Sequence, residues 1–284
     1  MINLVLFVIL LFVFRSAHSG VTEHMAPHYS SKQHKIPRII WTFWDKPSNI
    51  PKTVQQCIKS WKLHNPNFEI ILLTKDNLRR YLPDIDVFKL KFADNPQRVA
   101  DFVRICVLCK HGGFWSDASI LMNKPLDWLA YRDKEFVGYY IEGSTTDKRF
   151  PVVENWFFGC VPHGKFVELW KKEFLSMNSH ASVRDYVRHI KSRFDIQNIT
   201  PPTYLTMHLA AQAVIQSQPQ ILNSMVLLKA EDGPFKYLHD NGWNKHKSLS
   251  SLCDPKTKKQ PIVKFRGIER NAIENDYDRY SCVF

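Results

Sequence analysis

RVADFVRICVLCKHGGFWSDASILMNKP, residues 98–125, places charged groups at fixed positions inside an otherwise apolar stretch. Its apolar residues recur every three or four positions, which predicts a helix ending near His111. The glycine pair at 112–113 ends that helix, and the aromatic pair at 114–115 then indicates a short strand followed by Asp117. Ligands of open α/β sheets bind at the carboxyl ends of the strands, so this stretch predicts a binding site.

Strand and helix patterns alternate on both sides of this stretch, which predicts an α/β fold with a Rossmann-like, mostly parallel central sheet flanked by helices. Buried strands are predicted at 38–44, 68–73, 136–141, 155–161 and 226–228. Helices are predicted at 51–64, 77–82, 163–177, 183–194 and 202–216, and a turn or short helix at 125–129.

The amino terminus begins with an unbroken apolar run from Ile2 to Phe14, followed by small residues. This pattern predicts a signal peptide or an uncleaved signal anchor at residues 1–20 and a polar stem at 21–35. A buried core strand is the remaining alternative. Residues 36–284 then form the folded domain. Either targeting interpretation directs the chain to the secretory pathway: the Golgi or ER lumen, a type II membrane protein held by that segment, or a secreted protein.

The formal net charge of +12 favours anionic partners such as phosphates, acidic glycans, nucleic acid or lipid head groups. The basic residues are spread along the chain and form no dense run, which is atypical of a nucleic-acid-binding protein. No nucleic-acid partner is therefore expected.

The six cysteines do not form a dense disulfide framework. Cys106 and Cys109 have the spacing of a metal or redox motif, but they lie inside a predicted helix without a second ligand pair, which favours buried thiols. Cys253 and Cys282 are available to pair in an oxidising compartment.

Asp117 and Ser119 resemble a DxD motif in which the second carboxylate has become a hydroxyl. Two acids at this spacing on an extended backbone can face a divalent ion that bridges the diphosphate of a nucleotide sugar. Asp101 and Arg104 are three residues apart on the preceding helix and are therefore neighbours on its surface. Taken alone, a single Asp here is also consistent with a turn cap.

Several segments, in this order and spacing, resemble the capsular polysaccharide synthesis proteins and the related DxD-type, family 32-like glycosyltransferases. The matching segments are IPRIIWTFWD, CIKSWKLHNPNFEIILL, RVADFVR, HGGFWSDASI, NKPLDWL and ENWFFGCVPHG. The resemblance covers residues 36–171, with weaker similarity to about residue 243. It implies a GT-A fold, a nucleotide-sugar donor (a UDP- or GDP-sugar), a divalent cation (Mn²⁺ or Mg²⁺), a retaining transfer and a glycan, glycoprotein or glycolipid acceptor.

The resemblance also implies roles for individual residues. Trp41 corresponds to the aromatic that meets the nucleotide base, and Asp101 and Arg104 to the pair that holds donor hydroxyls and phosphate. Asp117 corresponds to the first metal-side acid, with Ser119 in the second position. Further candidates are Asn155, near the acceptor, and a loop over the phosphates formed by Lys236, His239 and Trp243.

Each role has a structural alternative: a core aromatic for Trp41, a surface ion pair for Arg104, a turn cap for Asn155 and a solvated side chain for His239. For the whole chain, the alternative to an enzyme is a secreted glycan-binding protein with a degenerate transferase fold, which the loss of an acid at Ser119 would suit. A basic module for membrane surfaces or nucleic acid is a third possibility.

Overall fold

A computed structural model describes residues 36–130 and 133–284. The predicted signal segment at 1–20 and stem at 21–35 lie outside the described residues. Within the part of the chain that is described, no helix combines the length and apolarity needed to span a bilayer.

The strands run β1 Ile39–Phe43, β2 Glu69–Leu73, β3 Gly113–Ser116, β4 Ile120–Met122, β5 Phe136–Tyr140, β6 Val153–Cys160, β7 Met225–Lys229 and β8 Ile262–Lys264. The helices are α1 Lys52–His64, α2 Leu78–Tyr81, α3 Pro96–His111, α4 Asp127–Ala130, α5 Lys165–Ser176, α6 Val183–Lys191, α7 Thr206–Ser217, α8 Lys236–His239, α9 Lys245–Ser250, α10 Pro255–Lys258 and α11 Gly267–Asn275.

The central sheet has the strand order β2-β1-β3-β6-β5-β7. β1 pairs in parallel with β2 and β3, and β5 with β7, whereas β6 is antiparallel to both of its neighbours. Five strands of this sheet therefore share one direction, which confirms the predicted α/β fold with a mostly parallel sheet. A separate two-stranded sheet pairs β4 with β8.

Helices cover both faces of the central sheet because its buried side chains alternate between two cores. Trp41 and Trp115 point into the core formed with α3, α5 and α7. Ile40 and Phe114, one position earlier on the same strands, point into the core formed with α1, β4 and β8. This burial on both faces explains why the strands are apolar at successive positions rather than at every second one.

The structure contains buried thiols and one disulfide, as the cysteine spacing favoured. Cys106 and Cys109 are buried, and burial raises the pKa of the Cys106 thiol to about 12, so it stays protonated at neutral pH. Cys253 and Cys282 form a disulfide with their Cα atoms 5.6 Å apart.

The turn between α3 and β3 depends on glycine at two consecutive positions. Gly112 and Gly113 both have positive φ, at 64° and 92°. A Cβ atom on Gly113 would lie 2.7 Å from the Ile39 carbonyl oxygen and 3.1 Å from the Trp41 Nε1 atom. The turn therefore packs against β1 too closely for any side chain.

Gly113→Ala should lower the free energy of unfolding by about 2 kcal/mol or more, because it combines the cost of positive φ with a clash against backbone. Urea denaturation followed by circular dichroism measures this. Gly242→Ala is the control: its φ is 60° but no atom lies within 4 Å of the added methyl, so only the conformational cost of roughly 1 kcal/mol remains. Equal losses in the two variants would contradict the packing argument.

Candidate active site at the carboxyl end of the sheet

A cavity of about 430 Å³ opens at the carboxyl ends of β1 and β3. Parallel strands bring these ends to one edge of the sheet, where α/β proteins bind ligands. Its charged and aromatic lining residues are Phe43, Trp44, Asp45, Trp115, Asp117, Tyr204, Lys264, Phe265 and Arg270, with Ser119 among the others. We call this space the Asp117 cavity.

Asp117 is bound by cationic side chains on both of its carboxylate oxygens. Arg104 Nη2 donates to Oδ1 at 2.8 Å, and Lys264 Nζ donates to Oδ2, also at 2.8 Å. The indole of Trp115 adds a third donor to Oδ1 at 3.0 Å. Burial acts to raise the pKa of Asp117, but the positive charges of Lys264 and Arg104 lower it below the ordinary value. Asp117 is therefore a stably ionised carboxylate.

The network continues behind Asp117 through Arg104, whose side chain is only 5% exposed. Arg104 Nη1 donates to Asp101 Oδ1 at 2.7 Å, and Asn155 Nδ2 donates to the same oxygen at 3.1 Å. Burial raises the pKa of Asp101 above its ordinary value, although the charges of Arg104 and Arg98 oppose that shift. Arg104 thus places a positive charge between the Asp101 and Asp117 carboxylates, which would otherwise lie near each other without a shared cation.

The structure brings together most of the side chains expected near Asp117. Asp101, Arg104, Asp117 and Asn155 form one hydrogen-bonded network, and Ser119 lies beside it at the cavity wall. The contact between Asp101 and Arg104 was predictable from the sequence, because residues three apart on a helix lie on the same surface. The contact between Asn155 and Asp101 requires β6 to pair with β3, and this pairing is decided by the tertiary fold.

Trp41 does not reach the Asp117 cavity. Its side chain is 1% exposed, packs against Tyr81 and His111, and donates from Nε1 to the Gly112 carbonyl oxygen at 2.9 Å. Each residue advances a strand by about 3.3 Å, so Trp41 lies well below the strand end, and Trp44 lines the cavity in its place. The structure thus gives Trp41 the core role rather than the predicted base contact.

The predicted phosphate loop also lies away from the lining of the Asp117 cavity. Lys236 forms an ion pair with Asp240 at 2.9 Å, and His239 is half exposed. Trp243 packs its ring against Phe235 and the Arg266 guanidinium. In this conformation the loop residues contact one another and their neighbours.

Lys264 is a cavity residue that the sequence did not predict, as are Trp44, Tyr204 and Arg270. β8 pairs antiparallel with β4, setting Lys264 opposite Ile120 and next to Ser119. Lys264 Nζ donates to Ser119 Oγ at 3.0 Å, and that hydroxyl donates in turn to the Phe265 carbonyl oxygen at 2.9 Å. The local signal was the β-branched pair Ile262 and Val263 after Pro261, which is too short to be distinguished from a loop.

The donor set at Asp117 and Ser119 does not fit the divalent cation, Mn²⁺ or Mg²⁺, that the resemblance implies. Such ions require several oxygen ligands with free lone pairs. Asp117 is the carboxylate of this pair, and both of its oxygens already accept hydrogen bonds from positive side chains. Ser119 accepts from Lys264. The predicted metal ligands are thus bound to the protein's own cations.

Tyr204 and Arg270 complete the cavity from two other elements. Tyr204 precedes α7 and is 60% exposed, with its ring available at the cavity mouth. Burial raises the pKa of Tyr204, and the charges of Asp101 and Asp117 add to that shift, so the phenol stays protonated. Arg270 lies on α11, whose amino-terminal Gly267 also lines the cavity. These groups offer stacking, hydrogen-bonding and positive charge to a ligand.

Comparison with known proteins assigns the chain to a family. The family model described as "Capsular polysaccharide synthesis protein" matches residues 16–266. The chain is 31% identical over 106 residues to "Inositol phosphoceramide mannosyltransferase 3" of Schizosaccharomyces pombe, over 36% of this chain and 30% of that protein. It is 27% identical over 126 residues to "Initiation-specific alpha-1,6-mannosyltransferase" of Saccharomyces cerevisiae, over 39% and 25%. The chain thus matches less than a third of either relative's length.

Among solved structures, the glycosyltransferase GlyE of Streptococcus pneumoniae TIGR4 in its apo form aligns with a TM-score of 0.45 at 13% identity. The alignment covers 87% of this chain and 64% of that one.

Arg104→Ala should lower the free energy of unfolding by about 3 kcal/mol or more, because it leaves Asp101 and Asp117 without their shared cation. Chemical denaturation provides the measurement. Arg149→Ala removes an ion pair whose side chain is 79% exposed and should leave the free energy of unfolding nearly unchanged, because solvent screens the pair. A loss for Arg104→Ala as small as that control would show that the network is not structural.

Proposed function

The chain belongs to the capsular polysaccharide synthesis protein family, and from this we propose that it is a glycosyltransferase that moves a sugar from a nucleotide-sugar donor to a glycan, glycoprotein or glycolipid acceptor. The observation that carries the proposal is the Asp117 cavity, where the buried network of Asp117, Arg104 and Lys264 meets a space of ligand size. A diphosphate suits the cationic side of this cavity.

The donor is proposed to place its diphosphate near Lys264 and Arg270, with its base against Trp44 or Tyr204 at the cavity mouth. Aromatic rings at such positions can stack on any nucleotide base, because every base has a flat π-face. The names of the two fungal relatives make a mannosyl donor the first candidate for testing, and UDP- and GDP-sugars are the two nucleotide classes to compare.

The transfer is proposed to retain the anomeric configuration. The bond between the anomeric carbon and the β-phosphate oxygen breaks with its electron pair on the phosphate, and the acceptor hydroxyl oxygen forms the new bond from the same face. The acceptor's proton passes to the departing diphosphate, so no separate general base is required. The main task of the protein is then to stabilise the negative charge that develops on the leaving group.

Asp117 has a positioning role in this proposal. Its carboxylate holds Lys264 at the cavity wall from one oxygen and is itself held by Arg104 at the other. Arg104 is almost fully buried, which favours support of Asp117 over direct contact with the donor. Asp101 and Asn155 extend that support through the hydrogen bonds to Asp101 Oδ1 from Arg104 and Asn155.

The proposed location is the secretory pathway, in the Golgi or ER lumen or outside the cell. The supporting observations are the apolar amino-terminal run and the disulfide between Cys253 and Cys282, since disulfides persist in oxidising compartments. Attachment to a membrane would come from the amino-terminal segment if it remains uncleaved.

Asp117→Asn should reduce transfer by about 100-fold or more, because preorganised charge in the site is lost while the side-chain shape is kept. The assay incubates purified protein with a panel of UDP- and GDP-sugars, with Mn²⁺ in one arm and EDTA in the other, and measures released nucleoside diphosphate. Asp147→Asn, which removes an exposed ion pair with Arg149, is the control and should keep full activity.

Full activity of Asp117→Asn would reject the assigned site. Glycan binding by the wild-type protein, with no nucleotide sugar turned over in either arm, would favour the alternative of a glycan-binding protein with a degenerate transferase fold.

A further inference from the structure

Lys264 holds both side chains that the sequence predicts as metal ligands. Its Nζ atom lies 2.8 Å from Asp117 Oδ2 and 3.0 Å from Ser119 Oγ. These are the side-chain oxygens that a DxD-like pair would offer to a divalent ion. One ammonium group therefore binds both of the side chains that the family resemblance implies as metal ligands.

Resting on the transferase function proposed above, we propose that Lys264 supplies the positive charge for the donor diphosphate and that this chain transfers sugar without a divalent metal ion.

The charge balance of the network supports this role. Two carboxylates, Asp101 and Asp117, are matched by two cations, Arg104 and Lys264, in direct contact. The other two charged residues that line the cavity are Asp45, which is exposed, and Arg270, whose positive charge balances the negative charge of Asp45. A divalent ion at Asp117 would face two positive side chains already bound to the same carboxylate, so it would enter against repulsion.

The identity of residue 119 fits the same arrangement. A carboxylate at residue 119 would add a second negative charge, which a divalent ion would neutralise, whereas the Ser119 hydroxyl is neutral. It accepts a hydrogen bond from Lys264 and donates its own proton to the Phe265 carbonyl oxygen. The hydroxyl thus directs the ammonium group without adding a charge for it to neutralise.

Lys264 also keeps capacity for a ligand. An ammonium group carries three N–H donors, and the bonds to Asp117 and Ser119 use two of them. The side chain is 10% exposed and lines the cavity, so the third donor has access to an anion there. When the anomeric bond breaks, its electron pair moves to the β-phosphate oxygen, and Lys264 stabilises that charge as a catalytic residue.

The test uses the full chain and two readouts. The first is nucleotide-sugar turnover, together with binding of UDP and GDP by calorimetry, in excess EDTA and in Mn²⁺. We expect turnover and binding in EDTA to match those in Mn²⁺. Turnover that disappears in EDTA and returns with Mn²⁺ would overturn the proposal while leaving the transferase function intact.

The second readout does not depend on activity. Electron paramagnetic resonance of free Mn²⁺ measures metal binding to the protein without nucleotide, and we expect no stoichiometric binding. Stoichiometric binding that Asp117→Asn abolishes would overturn the proposal. If no nucleotide sugar is turned over and neither nucleotide binds in any arm, the transferase function fails, and with it the role of Lys264 toward the donor.

Variants at residue 264 test the charge itself. Lys264→Met should weaken diphosphate binding in EDTA about tenfold or more, because a hydrogen bond from a charged group is lost. Lys264→Arg keeps the charge and should bind within about threefold of wild type, which separates loss of charge from loss of fold. Lys229→Met, which removes another ion-paired strand lysine at 2.8 Å from Glu142, is the matched control and should leave binding unchanged. Unchanged binding in Lys264→Met would reject the role of Lys264.

Discussion

The buried guanidinium of Arg104 is the constraint on which this site depends. It bridges Asp101 on its own helix and Asp117 at the end of β3, at 2.7 and 2.8 Å. Removing charges from water is costly unless each one meets a partner of opposite sign. The fold meets that requirement with side chains from α3, the end of β3, β6 and β8, so the positions of these elements relative to one another are tied to a few ionic contacts.

This arrangement bears on the sugar transfer proposed for this chain. Charges that are held by the protein before the ligand arrives do not have to reorganise during the reaction, which is how enzymes stabilise a transition state most effectively. Asp117 is held at both oxygens, and Lys264 is held by Asp117 and Ser119. The cavity therefore presents a fixed cation to an anionic ligand, while the rest of the basic surface supplies only a general attraction.

Ser119 and Lys264 are best understood together. Each alone looks like a minor departure from a DxD-type site: a hydroxyl where an acid is expected, and a lysine on a short strand near the end of the domain. In the structure they are hydrogen-bonded neighbours that share Asp117. A neutral residue at 119 leaves Asp117 as the carboxylate that the ammonium group contacts, and under the proposal made above the two features belong to one change in how the site obtains its positive charge.

Local pattern determined much of this protein. The apolar periodicity of α3, the Gly-Gly turn and the aromatic pair of β3 were sufficient to place Asp101, Arg104 and Asp117, because these residues lie within one helix–turn–strand unit. The strand and helix alternation likewise predicted the mostly parallel sheet.

Only the tertiary structure decided which face each strand residue takes and which distant side chains meet. The Trp41 side chain lies in the core and donates a hydrogen bond to the Gly112 carbonyl oxygen, whereas Trp44 lines the Asp117 cavity. Lys264 is 147 residues from Asp117 along the chain, and nothing in its own neighbourhood predicts the contact. That contact exists because β8 pairs with β4, and pairing between distant strands is set by packing of the whole domain rather than by local propensity.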